Sequence, residues 1–271
     1  MRFQSVSLRG TQRHQGSPSA TPGPSGAYLV LRTASERVVA LVLLVLIAPL
    51  LAVLALLVRR TSPGPALYRQ LRLGRNGKAF MICKLRTMEH NCEARTGPVW
   101  SAQDDPRVTR IGRLLRDTHL DELPQLWNVV RGEMSLIGPR PERPEIAWKL
   151  ERKLPAYARR LSVKPGMTGL AQLLLPPDSD LSGVEKKLAQ DLQYIRRIGL
   201  QTDGRIAAAT VLYFMGRALG ATSRWLVGSK AAPMARPALV LTPADSDVPS
   251  LRFETYTGDV AAEAAAWSAA A

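Results

Sequence analysis

Residues 38–58 read VVALVLLVLIAPLLAVLALLV, an apolar run without a charged side chain. Wound as a straight α-helix it would be about 30 Å long, the thickness of a bilayer's hydrocarbon core. A buried helix of a soluble protein is the competing reading, but unbroken apolar runs of this length are membrane signatures. The run is not a cleavable leader, because it starts late and ends in Arg59 and Arg60 rather than at a small-residue cleavage site. Basic residues flank it on both sides, Arg32 and Arg37 before it and Arg59, Arg60, Arg69 and Arg72 after it. The positive-inside rule wants both ends in the cytoplasm, which one straight span cannot provide. Ala48-Pro49 lies near the middle, and a proline there lacks an N–H and clashes with the carbonyl four residues back. Two readings stay open: a helix broken at that point that dips in and returns, and an ordinary span with a tolerated proline.

Residues 1–26 are rich in Ser, Pro, Gly, Thr and Gln and read as a disordered arm; residues 228–271 read as a low-complexity Ala-, Pro- and Ser-rich tail. Between them, 27–60 holds the membrane helix and 61–227 is long enough for one substantial core. The 271-residue chain carries 37 Lys and Arg against 22 Asp and Glu, a formal charge of +15. Such an excess favours nucleic acid, phosphate-bearing substrates or an acidic membrane surface. Aromatics make up only 6%, which speaks against base stacking and nucleic acid. Cys83 and Cys92 form neither a disulfide framework nor a zinc spacing, which suits a reducing compartment, and the three histidines show no H-E-x-x-H spacing.

Beyond the apolar run comes SPGPALYRQLRLGRNGKAFMICKLRTM, residues 62–88. Asn76-Gly77 signals a type I′ hairpin between strands over roughly 66–73 and 79–87. Lys84 and Arg86 then share a strand face. Arg107, Arg110, Arg113 and Arg116 recur every third residue opposite Val108, Ile111, Leu114 and Leu115, an amphipathic helix with a cationic stripe. That stripe leads into Asp121-Glu122, after which Leu123, Leu126, Trp127 and Val130 predict a helix capped by Gly132. Asp121 at the N-cap would place Pro124 harmlessly in the first turn. The loop GPRPERPE, residues 138–145, presents Arg140 and Arg143 among stiffening prolines. A tight turn is expected at Pro165-Gly166, and helices over about 183–198 and 203–219, the second able to lie in the membrane interface or pack on the core.

Asp121 has a purely structural reading as a cap that accepts the first-turn N–H groups. It also has a chemical one. A helix start keeps a carboxylate ionised and welcomes phosphate, an ionised Asp can attack phosphorus, and adjacent carboxylates can share Mg²⁺ with substrate phosphates. There is no Walker A loop and no kinase signature, so phosphoryl transfer here would follow another plan.

The proline-interrupted apolar run, the 62–88 segment, DDPRVTRIGRLLRDTHLDELPQLWNVVRGEMSLIGPRPERPE (104–145) and LSVKPGMTGLAQ (161–172) occur in the order of the bacterial sugar transferases, the monotopic phosphoglycosyl transferases. The resemblance covers roughly residues 30–220 and joins several long motifs. It implies transfer of a sugar 1-phosphate from a UDP-sugar to a polyprenyl (undecaprenyl) phosphate, releasing UMP. It implies that Asp121 is a nucleophile forming a covalent intermediate, that Glu122 assists, and that the pair holds Mg²⁺. It places Lys84, Arg116 and Arg140 among the site's basic residues, with Pro139 and Pro141 in its proline-rich loop; Arg86 and Arg143 are further substrate-binding candidates. Ala48-Pro49 falls where the family breaks its re-entrant helix, often as Ser-Pro, so the resemblance favours the re-entrant reading. This chain departs in having LLLPPDSD (173–180) where relatives carry an Asn-Gly-Arg-like stretch, and it resembles the family's minimal form.

The expectation is therefore an α+β, mainly helical monotopic membrane protein with a re-entrant helix, a short β-hairpin and interfacial amphipathic helices. Its catalytic domain would sit on the cytoplasmic face of a bacterial inner membrane, in contact with membrane lipid, opening an exopolysaccharide or glycoconjugate pathway. The copy number is open, a homo-oligomer included. The alternative is a basic membrane-anchored protein that binds anionic lipid or nucleic acid without catalysis.

Overall fold

The computed structural model describes residues 26–92, 105–176 and 180–227. The disordered-arm and tail expectations fall outside these, apart from Gly26.

Helix α1 spans Gly26–Thr61 and is the one described helix long and apolar enough to cross a membrane. It runs through Ala48-Pro49 without interruption, so the expected break in the helical backbone is absent. Ala48, Pro49 and Leu50 are all exposed, and Pro49 forfeits one hydrogen bond within the helix. Ala40, Leu44, Ile47, Leu51, Leu54 and Val58 pack against the domain in alternating steps of four and three. The remaining circumference, including Val38, Leu41, Val42, Val45, Leu46, Val53 and Leu56, is exposed. Both ends of α1 thus hold the same domain. Arg37 near the start donates to Arg131 O at 3.4 Å, while Val58 at the far end is buried against Leu85 and Leu115.

Strands β1 (Leu67–Leu73) and β2 (Ala79–Leu85) form the expected antiparallel hairpin, with Leu73 opposite Ala79. The pairing leaves five residues, 74–78, in the loop rather than a two-residue turn. Asn76 (φ 57°) and Gly77 (φ 74°) take the left-handed conformations that favour Asn and Gly, inside a 3₁₀ turn. Helix α2 (Arg110–Thr118) is capped by Thr109, whose hydroxyl accepts from Gly112 N at 2.9 Å.

Asp121 is not a helix cap. It lies inside a 3₁₀ segment, Leu120–Gln125, that precedes a short α3 (Leu126–Arg131); the N-cap position belongs to His119, left-handed at φ 57°. Pro124 disfavours α-helix in the residue before it, so the turn tightens and α3 starts only at Leu126. Gly132 ends α3 at φ 78° as expected. Leu126 and Val129 turn inward, whereas Trp127, placed on the apolar face from spacing, is 47% exposed.

Strand β3 (Ser135–Ile137) pairs in parallel with β4 (Gly166–Thr168), so the segment read as a tight turn at Pro165-Gly166 is a strand. Gly166 and Gly169 pack against the backbone of Gly138, an approach a Cβ would block. Helices α4 (Pro144–Lys153), α5 (Leu170–Leu174), α6 (Leu181–Arg196) and α7 (Leu200–Val227), with a 3₁₀ segment Tyr157–Ser162, complete the domain. Its core centres on Tyr194, Leu170 and Ile206, and on Leu73, Leu150 and Val184. Leu200, Val211, Leu212, Phe214 and Met215 of α7 stay exposed and form an apolar face.

Candidate active site

The site forms where β2, the 3₁₀ segment and the loop after β3 meet. Asn128 sets the first pairing. It is fully buried, accepts from Cys83 N at 3.0 Å, and donates to Met81 O and Glu133 Oε2, both at 2.8 Å. It stands in for a neighbouring strand along β2 and locks α3 to it. That fixes Glu122 against Lys84, whose Nζ donates to Glu122 Oε1 at 2.7 Å. From the other side Arg140 donates to the same oxygen at 2.6 Å through Nη2, and its Nη1 lies 3.5 Å from Oε2.

Glu122 is therefore saturated with positive charge. Its burial opposes ionisation, but Arg140 and Lys84 outweigh that and hold the carboxyl well below the usual range. Burial moves Lys84 below the ordinary lysine value despite its Glu122 partner. Arg140 is pushed above the ordinary arginine value, chiefly by Glu122.

Asp121 is the opposite case. It is 7% exposed, and its carboxylate makes no hydrogen bond or ion pair with any described residue. Neither oxygen is sealed from the surface. Burial raises its carboxyl to about 6, with Lys84 the main charge pulling it down, Glu122 pushing it up, and Arg140 and Arg116 pulling it down further. At neutral pH it is ionised but more basic than an ordinary aspartate, which suits an oxygen nucleophile. The site thus pairs one carboxylate spent on holding cations with one kept free beside them.

Residues 27–217 match the bacterial sugar transferase family. The chain belongs to that family. A UDP-glucose:undecaprenyl-phosphate glucose-1-phosphate transferase of Caulobacter vibrioides is 42% identical over 193 residues, 70% of this chain and 72% of that protein. The exopolysaccharide production protein PSS of Rhizobium leguminosarum bv. phaseoli is 39% identical over 197 residues, 71% of this chain and 98% of that protein. A UDP-glucose:undecaprenyl-phosphate glucose-1-phosphate transferase of Escherichia coli K12 is 40% identical over 191 residues, 69% of this chain but 40% of that longer protein. The protein is a transferase, and the exposed apolar helix and the family together associate it with a membrane.

The sugar transferase brings together some of the residues its sequence suggested and separates others. Asp121, Glu122, Lys84 and Arg140 converge. Arg116 approaches from α2, donating through Nε to Thr87 Oγ1 at 2.8 Å while its charge acts on Asp121. Pro139 and Pro141 are buried and brace Arg140. Arg86 does not reach the site. It is buried and donates to Pro63 O, Ser62 O and Ser62 Oγ, closing the turn that follows α1. Arg143 sits at the start of α4, paired with Glu145 at 3.6 Å. Arg110 and Arg113 point to solvent, and Arg107 pairs with Asp105 at 2.6 Å, so the cationic stripe resolves into one site residue and three others.

Sequence reasoning missed Asn128, Arg72 and Arg160. The signal for Asn128 was an amide between two inward positions, Leu126 and Val129, of a short amphipathic helix. Arg72, only a flanking charge in the sequence, pairs with Glu142 at 3.1 Å.

The free Asp121 carboxylate fits a divalent cation of the Mg²⁺ type, which binds through one or two carboxylates together with substrate phosphates. Glu122 fits less well, because Lys84 and Arg140 already occupy it. No cluster of three or more His, Cys, Asp or Glu capable of holding a metal occurs among the described residues, so any such ion would depend on the substrate for most of its ligands.

Proposed function

We propose that the transferase moves a sugar 1-phosphate from a UDP-sugar to a polyprenyl phosphate through a covalent aspartyl intermediate. The observation that carries this is the unpartnered, buried Asp121 carboxylate beside the Lys84–Glu122–Arg140 cluster. An Asp121 oxygen attacks the phosphorus that bears the sugar. The bond from that phosphorus to the bridging oxygen breaks, and UMP leaves with that oxygen. A phosphate oxygen of the polyprenyl phosphate then attacks the same phosphorus, giving a lipid diphosphate sugar and returning Asp121 as a carboxylate.

Lys84 and Arg140 meet the charge that builds on the phosphoryl oxygens, and Arg116 adds to the same field. Glu122 holds Lys84 and Arg140 in place until substrate arrives, and lends them to the phosphate without leaving them unpaired. Mg²⁺, when bound at Asp121, neutralises phosphate charge. The names of the Caulobacter and Escherichia relatives support UDP-sugar and undecaprenyl phosphate as the substrate classes, and that of the Rhizobium relative supports an exopolysaccharide pathway.

Because the domain grips α1 at Arg37 and again at Val58, a straight crossing would pull one of these contacts through the bilayer. A monotopic arrangement, with α1 held along the cytoplasmic face of the inner membrane and its unpacked apolar side in the lipid, keeps both. The exposed apolar face of α7 then rests at the same interface. A simple lipid- or nucleic-acid-binding role leaves the free Asp121 without a purpose. The test is incubation of a panel of radiolabelled UDP-sugars with polyprenyl phosphate and Mg²⁺. Labelled lipid must form with one of them, and Asp121→Asn must abolish it. A fully active Asp121→Asn would remove the nucleophile from the scheme.

A further inference from the structure

The backbone around Arg140 is held by three arginines. Arg32 of α1 donates to Ile137 O at 2.6 Å, Arg160 to Arg140 O at 3.0 Å, and Arg72 of β1 to Pro141 O at 3.1 Å. Each guanidinium is tied to a carboxylate, Asp203 at 3.2 Å, Asp191 at 2.7 Å and Glu142 at 3.1 Å respectively. Amides hold two further carbonyls: Gly166 N bonds Pro139 O at 2.9 Å and Leu73 N bonds Glu142 O at 3.0 Å. A loop with no role beyond connection would leave such carbonyls to water.

Arg160 acts on the residue that would meet the phosphoryl charge. It is itself buried, bonds the Tyr157 hydroxyl, and lies 4.9 Å from the centre of the Tyr157 ring. Its Nε has no partner. As a plain staple between the Tyr157–Ser162 segment and α6, a buried ion pair with an orphaned donor is a poor choice, because desolvation consumes much of the Coulomb gain and apolar side chains would serve better. What the arginine supplies and a leucine cannot is a donor aimed at the Arg140 carbonyl.

We propose that Arg160, oriented by Asp191 and Tyr157, is a positioning residue that presets Arg140 for the transferred phosphate. By fixing the Arg140 peptide plane it fixes the direction in which that side chain leaves the backbone. The Arg140 side chain is 50% exposed, yet it rests on Glu122 before substrate arrives. The proposal rests on the role given to Arg140 in the function above.

The test is a double-mutant cycle on the full chain in lipid nanodiscs, using the UDP-sugar that the panel identifies. Wild type, Arg140→Ala, Arg160→Lys and the double variant are compared for kcat and KM. Lysine keeps a charge for Asp191 but lacks the fork that serves Asp191 and the Arg140 carbonyl together. Misplacing a reacting group by about 1 Å costs about a hundredfold, so Arg160→Lys should lower kcat by about that factor with little change in KM. Added to Arg140→Ala, it should cause no further loss. An equal loss in both backgrounds would overturn the positioning role and leave the proposed function standing. A fully active Arg140→Ala would overturn the positioning role together with the part given to Arg140 above, leaving the Asp121 scheme to its own test. If Arg160→Lys does not fold, Tyr157→Phe removes only one partner of Arg160 and must show the same dependence on Arg140 with a smaller loss; additivity there also overturns the proposal.

Discussion

Replacing the proposed nucleophile should make the protein more stable. Asp121→Asn keeps the shape of a neutral carboxyl and removes the titration. Burial raises the Asp121 carboxyl from 3.8 to about 6, a shift of roughly two units. At 1.36 kcal/mol per unit this is about 3 kcal/mol, an upper figure because the carboxylate can recruit water and ions. The sign follows from the direction of the shift. Below the unfolded value of 3.8 the carboxyl is neutral in both states and wild type loses nothing. As pH rises towards the folded value of about 6, the unfolded state ionises freely while the folded state resists, and stability drains away. The asparagine protein escapes that drain. The gap should therefore be small near about pH 4 and grow to about 2–3 kcal/mol at about pH 8, or about 5–10 °C in Tm. Thermal unfolding in nanodiscs with a chelator present, at both pH values, measures it. A variant no more stable than wild type at the higher pH would refute the reasoning, as would a gap that persists unchanged in acid.

Glu122→Gln should have the opposite sign. It leaves Lys84 and Arg140 without their carboxylate, and its folded value lies below the ordinary one, so its stabilisation is present above about pH 4.5 and lost as pH falls. A loss of about 2–3 kcal/mol at neutral pH is expected from chemical unfolding, shrinking in acid. The transfer rate should fall as Asp121 takes up its proton, at a pH no higher than about 6 because Mg²⁺ on the same carboxylate lowers that value; a fall that is already complete at about pH 7 would contradict that. Single cysteines at Val30 and Arg60, in a chain with Cys83 and Cys92 replaced by serine, should label from the same side of the membrane, and labelling from opposite sides would exclude the monotopic arrangement.

The long-range plan was legible because it rests on patterns that tertiary contacts do not rewrite. The charge-free run 38–58, Asn76-Gly77 between two strand-like runs, and Gly132 after an amphipathic stretch each state a local preference strong enough to survive folding. What misled was local reading of residues whose place is set by distant partners. Asp121 looks like a cap, yet Pro124 tightens the turn and the side chain is left free. Gly166 looks like a turn, yet parallel pairing with Ser135 makes it a strand. Lys84 and Arg86 alternate in sequence as if on one strand, but β2 ends at Leu85, and one meets Glu122 while the other closes the Ser62 turn, a split that no periodicity encodes. The dyad stands out by its surroundings: arginines flank it in sequence, and Arg116 and Arg140 flank it in space, while Arg143 and Arg110 lie elsewhere.

The packed stripe of α1 has a bearing on how this enzyme is made. Ala40 and Leu54 are as much part of the interior as Phe80 or Leu115. Trimming the hydrophobic helix in search of a water-soluble catalytic fragment would thus remove a wall rather than a leash, exposing the seat of the hairpin and of α2. It also suggests an order of assembly. The helix precedes the hairpin and helices α2 to α7 in the chain, so it can settle in the lipid before they emerge and serve as the template on which they condense, and the candidate active site then comes into being at the membrane.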